Sequence, residues 1–197
     1  MVGEEAWARL PEAVQRRFSK RLGPGEAIVY QGQVTATELT RAGRVLAFLA
    51  RAIGGPLPFT NGATGAAVVI VMEDVALGGQ SWTRTYARPG RLPQVVHSAK
   101  RFSGPTGLEE YVGCGVGMTL RVTVEDGALF FRSEHYFLEL GRVRAYIPRR
   151  LAPGIMEIVH REEADGGTGG SAFSFRLSLT HPQFGQLVHQ VAYFRDS

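Results

Sequence analysis

The sequence predicts a single mainly β domain, α+β by content, built on one strongly curved antiparallel sheet or a closed β-barrel with a helix capping it. Three observations predict this. From Ala66 onward the chain is a succession of short apolar or alternating runs, such as "AAVVIVMED", "QSWTRTYAR" and "SAFSFRLSLT". Turn signals separate the runs, including the Asp-Gly pair of "EDGA" at 125–128, and only one substantial helical pattern stands among them. Roughly nine or ten strands are more than a flat sheet usually holds, so strong curvature or closure follows.

Each element has its own warrant. "PEAVQRRFSKRL" at 11–22 reads as a short helix with Pro11 in its first turn and Val14, Phe18 and Leu22 on one face, stopped by "GPG". "EAIVYQGQVTATEL" alternates as a half-buried strand does. From Thr40 to Ile53 the period becomes helical, with Val45, Leu46, Phe48, Leu49, Ala52 and Ile53 forming an apolar stripe, Thr40 as N-cap and Gly54 as stop. That stripe is expected to supply buried surface to the sheet, which makes Phe48→Ala a costly change. "GGPLPFTNG" is a rigid loop, "VGCGVG" at 112–117 a bend where the sheet curls, and "ADGGTGG" at 164–170 the loop of a hairpin. The whole, residues 1–197, is read as one domain of lipocalin-like or fatty-acid-binding-like build, with a START-like helix-grip as the alternative.

Composition narrows the function classes. The chain has 197 residues, 44% of them hydrophobic, and 22 Lys and Arg against 18 Asp and Glu, for a net charge of +4. Its basic residues are scattered in pairs such as Arg16–Arg17, Lys100–Arg101 and Arg149–Arg150, without the stripe that nucleic-acid binding needs, so no nucleic-acid partner is expected. Cys114 is the lone cysteine, which excludes an internal disulfide and a cysteine pair for zinc. The start "MVGEEAWARL" lacks a leader's apolar core and no run has the length of a membrane span, so a cytoplasmic protein is expected.

Several short motifs, in order, carry a resemblance: "LPEAVQRRF", "YQGQV", "GGPLP", "WTRTYA", "LEEYVG", "DGALFF", "YIPRRLAP" and "FSFRLSLTHPQFGQLVHQVAYF". Together they resemble a bacterial family catalogued as domain of unknown function 4166, over nearly the full length. The resemblance implies a domain that also occurs fused to oxidoreductase-like, nucleotide-binding domains. It matches Trp82, Arg84 and Tyr86 to the family's aromatic–basic strand, Glu109 or Glu110 to its acid before a glycine, and Pro148 and Glu157 to later positions. The family-typical Tyr-x-Gly at the end stands here as Tyr193, Phe194 and Arg195.

Strand alternation puts Trp82, Arg84, Tyr86 and Arg88 on one face. This is either a pocket wall, with Arg84 gripping a carboxylate or phosphate, or a sheet edge in which Arg84 ties strands together through Glu157. Phe131 and Phe137 are candidates for the pocket's apolar wall and His135 for a polar lining group. His135, His160 and His189 fall on separate strands, and no metal-ligand spacing or cofactor fingerprint is present. The leading expectation is a module that binds a small apolar, amphipathic or anionic ligand. The rivals are an enzyme or accessory domain working with a nucleotide-dependent oxidoreductase, and a structural interaction domain.

Overall fold

Alternating side chains give each strand one apolar face, and a sheet that wraps this face inward buries it without leaving an open edge. The computed structural model describes residues 2–74, 78–103, 106–163 and 172–196. Within them β1 (Ala27–Leu39), β2 (Gly65–Glu73), β3 (Gln80–Tyr86), β4 (Gln94–Ser103), β5 (Gly107–Gly113) and β6 (Val116–Glu125) run as a meander, each paired with the next. β7 (Ala128–Leu140) pairs with β6 along one edge; its other edge is shared by β8 (Val143–Tyr146) and β9 (Ile155–Glu163). β10 (Ala172–His181) and β11 (Gly185–Arg195) follow. β11 returns to β1, with Arg195 opposite Gln31 and Val188 opposite Leu39, and completes a ten-strand antiparallel barrel with β8 as an outer flap.

The predicted barrel is therefore the observed one, and the START-like alternative falls away because the sheet closes on itself. The loop "ADGGTGG" lies outside the described residues, although the strands it joins do pair, Glu163 opposite Ala172. "VGCGVG" is the tight connection of the β5–β6 hairpin, with Cys114 and Gly115 both at positive φ.

Short helices close the two ends. α1 (Glu4–Ala8), which the sequence reading did not anticipate, and α2 (Glu12–Ser19) plug one end, where Leu10 and Val14 are buried against Leu120, Leu129 and Phe131. α3 (Arg41–Leu49) and a 3-10 helix (Ala50–Ile53) lie at the other. Thr40 caps α3 as predicted, its hydroxyl accepting from the Gly43 N–H at 3.1 Å. Gly43 rests on the backbone of Leu187, where a Cβ would lie 2.0 Å from the carbonyl oxygen, and a Cβ at Gly113 would likewise lie 2.3 Å from the Ile53 carbonyl oxygen. Since Leu187 begins β11 and Gly113 ends β5, the segment bridges two separate parts of the rim.

One expectation fails here. Val45, Phe48 and Leu49 are 61%, 66% and 62% exposed, so the stripe on α3 faces outward. Its buried side is formed by Gly43 and Ala47, small residues that let the helix backbone lie directly on the strand ends. No helix among the described residues is long and apolar enough to cross a membrane.

Candidate functional site

The barrel encloses a cavity of about 100 Å³. Its walls are apolar, with Val69, Val96, Ile158, Phe175 and Phe194 from the strands; Phe18 of α2 lines it too, as do Pro56 and Pro58 from the loop after the 3-10 helix. Gln94 pins that loop by donating to the carbonyls of Gly55 and Leu57, at 3.2 and 2.8 Å.

One polar cluster interrupts the apolar lining. Arg84 on β3 donates to Ser98 Oγ at 3.1 Å and to Glu110 Oε1 at 3.2 Å. Lys100 on β4 donates to the same Glu110 oxygen at 3.0 Å, and its ammonium lies 4.6 Å from the centre of the Trp82 ring. Glu110 is 2% exposed. Burial would raise its carboxyl pKa, but the Lys100 and Arg84 cations reverse this and hold it at about 2. Burial lowers the Lys100 amine, with Glu110 opposing. Burial pushes the Tyr86 phenol up. Glu110 Oε2 and Trp82 Nε1 are buried without a hydrogen-bond partner among the described residues.

Of the residues read from the sequence, Trp82, Arg84, Tyr86 and Phe131 line the cavity. His135, Phe137 and Glu157 do not. The β6–β7 register shifts between Thr119 and Leu120, opposite His135 and Ser133, and this bulge reverses which side chains of β7 face inward. His135 therefore stands exposed, 6.2 Å ring to ring from Tyr146, and Phe137 is buried on the outer face against Tyr111 and beneath Arg144. Glu157 alternates with the cavity-lining Met156 and Ile158, so it points out and pairs with Arg132 at 2.5 Å. Arg84 meets Glu110 instead. Arg88 lies beyond the end of β3, its guanidinium 5.8 Å from the Phe59 ring centre.

Two further polar clusters lie outside the cavity. On the outer wall, Arg144 of the β8 flap donates to Glu109, Glu139 and Tyr111, and Glu109 is fully buried beneath it. Burial and the Glu109 carboxylate push the Tyr111 phenol up to about 12. At the α2 end Arg17 donates to Asp196 at 2.7 and 2.9 Å and to Glu162 at 3.1 Å, and its Nη1 lies 3.1 Å from His160 Nε2. His160 is fully buried, stacked on Phe173, and held at about 3 by burial and by Arg17. The three histidines of separate strands remain apart, and among the described residues no group of His, Cys, Asp and Glu gathers as a metal site requires.

Fold and site together define a closed antiparallel barrel with a charged cluster inside an apolar cavity. The chain belongs to the family described as Domain of unknown function (DUF4166), whose model matches residues 10–194. No curated protein and no solved structure matches it.

Proposed function

We propose that the barrel binds a small amphipathic molecule, its anionic head beside Arg84 and Lys100 and its apolar body along Trp82, Tyr86, Phe131 and Phe175. The observation that carries this reading is the charge balance of the cavity. Two cationic side chains share one carboxylate, so the ionised cluster carries an excess positive charge in a largely desolvated site. Such a charge is costly until a counter-ion meets it, and a carboxylate or phosphate head supplies one. The Trp82 N–H then donates to that head, and Glu110 Oε2 accepts from a hydroxyl or amide of the ligand or from a co-bound water.

An acid–base catalyst fits less well. Among the described residues Glu110 is the only carboxylate lining the cavity, held ionised by its two cations, and no histidine lines it. A carrier also suits the accessory role beside a nucleotide-dependent oxidoreductase that the family resemblance implies, with the bound molecule as the cargo delivered. Isothermal titration with decanoate and with decanol tests the reading. Decanoate is expected to bind at least about tenfold tighter than decanol, a difference of about 1.4 kcal/mol, and Arg84→Met to erase the preference. Absence of binding by either compound, with no small molecule co-purifying in native mass spectrometry, would overturn it.

A further inference from the structure

The connections at the α3 end of the barrel share a composition that the rest of the chain lacks. Residues 40–64, 87–93, 114–115, 141–142, 147–154 and 182–184 contain no Asp and no Glu. They hold eight arginines, three on α3 and the 3-10 helix, two between β3 and β4, and three in the connections flanking β8. Seven of these are exposed, Arg88 being half-buried against Phe59, and none of the eight forms an ion pair among the described residues. The opposite end is mixed in sign, with Glu12 on α2, Glu73 ending β2, Asp74 after it, Glu125 and Asp126 at the β6–β7 turn and Asp196 after β11, alongside Arg16, Arg17, Lys20 and Arg21.

Apolar side chains accompany the arginines. Arg44–Val45, Arg91–Leu92, Arg142–Val143 and Arg150–Leu151 place an arginine directly before an exposed aliphatic residue on four separate connections. Leu92 is 85% exposed and Leu151 76%, and Phe48, Leu49 and Phe184 protrude from the same end. A folded partner's apolar core is depleted of charge, whereas here the α3 stripe of Val45, Phe48 and Leu49 and the single aliphatics of the other connections are interleaved with guanidinium groups. That interleaving suits a bilayer interface, in which the apolar tip enters the acyl boundary while the guanidinium stays with the phosphates.

We propose that this end of the barrel docks on an anionic lipid bilayer. The surplus of arginine at this end, which outnumbers the exposed Glu38 at the end of β1, selects anionic headgroups, and the exposed apolar residues provide shallow insertion. Docking sets the α3 segment, and the proline loop that lines the cavity, against the membrane from which an amphipathic molecule would enter. The inference does not rest on that ligand reading: Arg84→Met should leave docking unchanged.

Co-sedimentation with phosphatidylcholine vesicles, with and without about 30% phosphatidylglycerol, tests it. Wild-type protein is expected to pellet with the anionic vesicles, at least about tenfold more strongly than with neutral ones, and to be released by salt. Two triple variants at exposed positions, Arg44→Gln with Arg91→Gln and Arg150→Gln, and Phe48→Ala with Leu92→Ala and Leu151→Ala, should each lose binding while melting as wild type does. Arg16→Gln with Arg161→Gln, at the opposite end, should keep it. Failure of wild type to pellet with anionic vesicles would overturn the proposal, as would binding that survives both triple variants. A wild-type dimer in sedimentation velocity that both triple variants abolish, with no vesicle binding, would assign the surface to a second copy of the chain instead.

Discussion

At Glu110 the carboxyl ionises at about 2 in the folded protein and near about 4.3 in an unfolded chain. A depressed carboxyl favours folding above the unfolded value, and that contribution disappears as the pH falls through the folded one. The difference corresponds to about 3 kcal/mol. Glu110→Gln, which leaves Arg84 and Lys100 without their carboxylate, is expected to cost about 3 kcal/mol in urea unfolding at neutral pH. The gap between wild type and variant should shrink as the pH is lowered from about 4.3 toward 2. Trp82, Arg84 and Tyr86 were legible because three large polar-tipped residues alternate in one unbroken strand. Glu110 and Lys100 were harder to see: "EE" and "KR" each place like residues on opposite faces, and the strand parity that chooses between them is set by pairing with β3 and β6. His135 and Phe137 were misplaced by a bulge, which is a property of two paired strands and leaves no periodic trace in one of them.

Among the elements, α3 shows most clearly where sequence patterning and tertiary packing part. Its cap at Thr40 and the stop at Gly54 followed from the sequence, although the last turn, Ala50–Ile53, is 3-10 rather than α, and the face it buries did not follow. A hydrophobic stripe normally marks the buried side of a helix; here the contact is made by Gly43 and Ala47, because the helix lies so close to the β11 backbone that no larger residue fits. Gly43→Ala is accordingly expected to lift α3 and cost about 2 kcal/mol, read as a lower midpoint in thermal unfolding. Phe48→Ala should change stability by less than about 0.5 kcal/mol, the usual scale for exposed positions.

For the molecule as a whole, acid sensitivity is set at the α2 end. His160 is a base buried in its neutral form, titrating at about 3, whereas an unfolded histidine takes its proton near 6.5. The unfolded chain therefore binds a proton that the folded one refuses, and stability declines as the pH drops from about 6.5 toward 3, by up to about 1.4 kcal/mol per pH unit. Arg17, Glu162 and Asp196 surround this group, and Arg17 adds to the refusal. His160→Phe, which keeps an aromatic ring against Phe173, is expected to flatten the loss in urea midpoint between about pH 6.5 and 5. The barrel itself was legible from strand count and turn spacing, since so many half-buried strands have few ways to hide their edges.

The seam between β1 and β11 also sets a schedule. β1 ends at Leu39 and β11 begins only at Gly185, so a ribosome delivers the two strands far apart in time. At about 5–20 residues per second β1 waits on the order of ten seconds or more for β11. Throughout that interval the growing meander has an unpaired edge and an uncovered apolar face. The finished ring has neither, so the hazard of aggregation belongs to the nascent chain, and nascent-chain chaperones would matter most before β11 emerges.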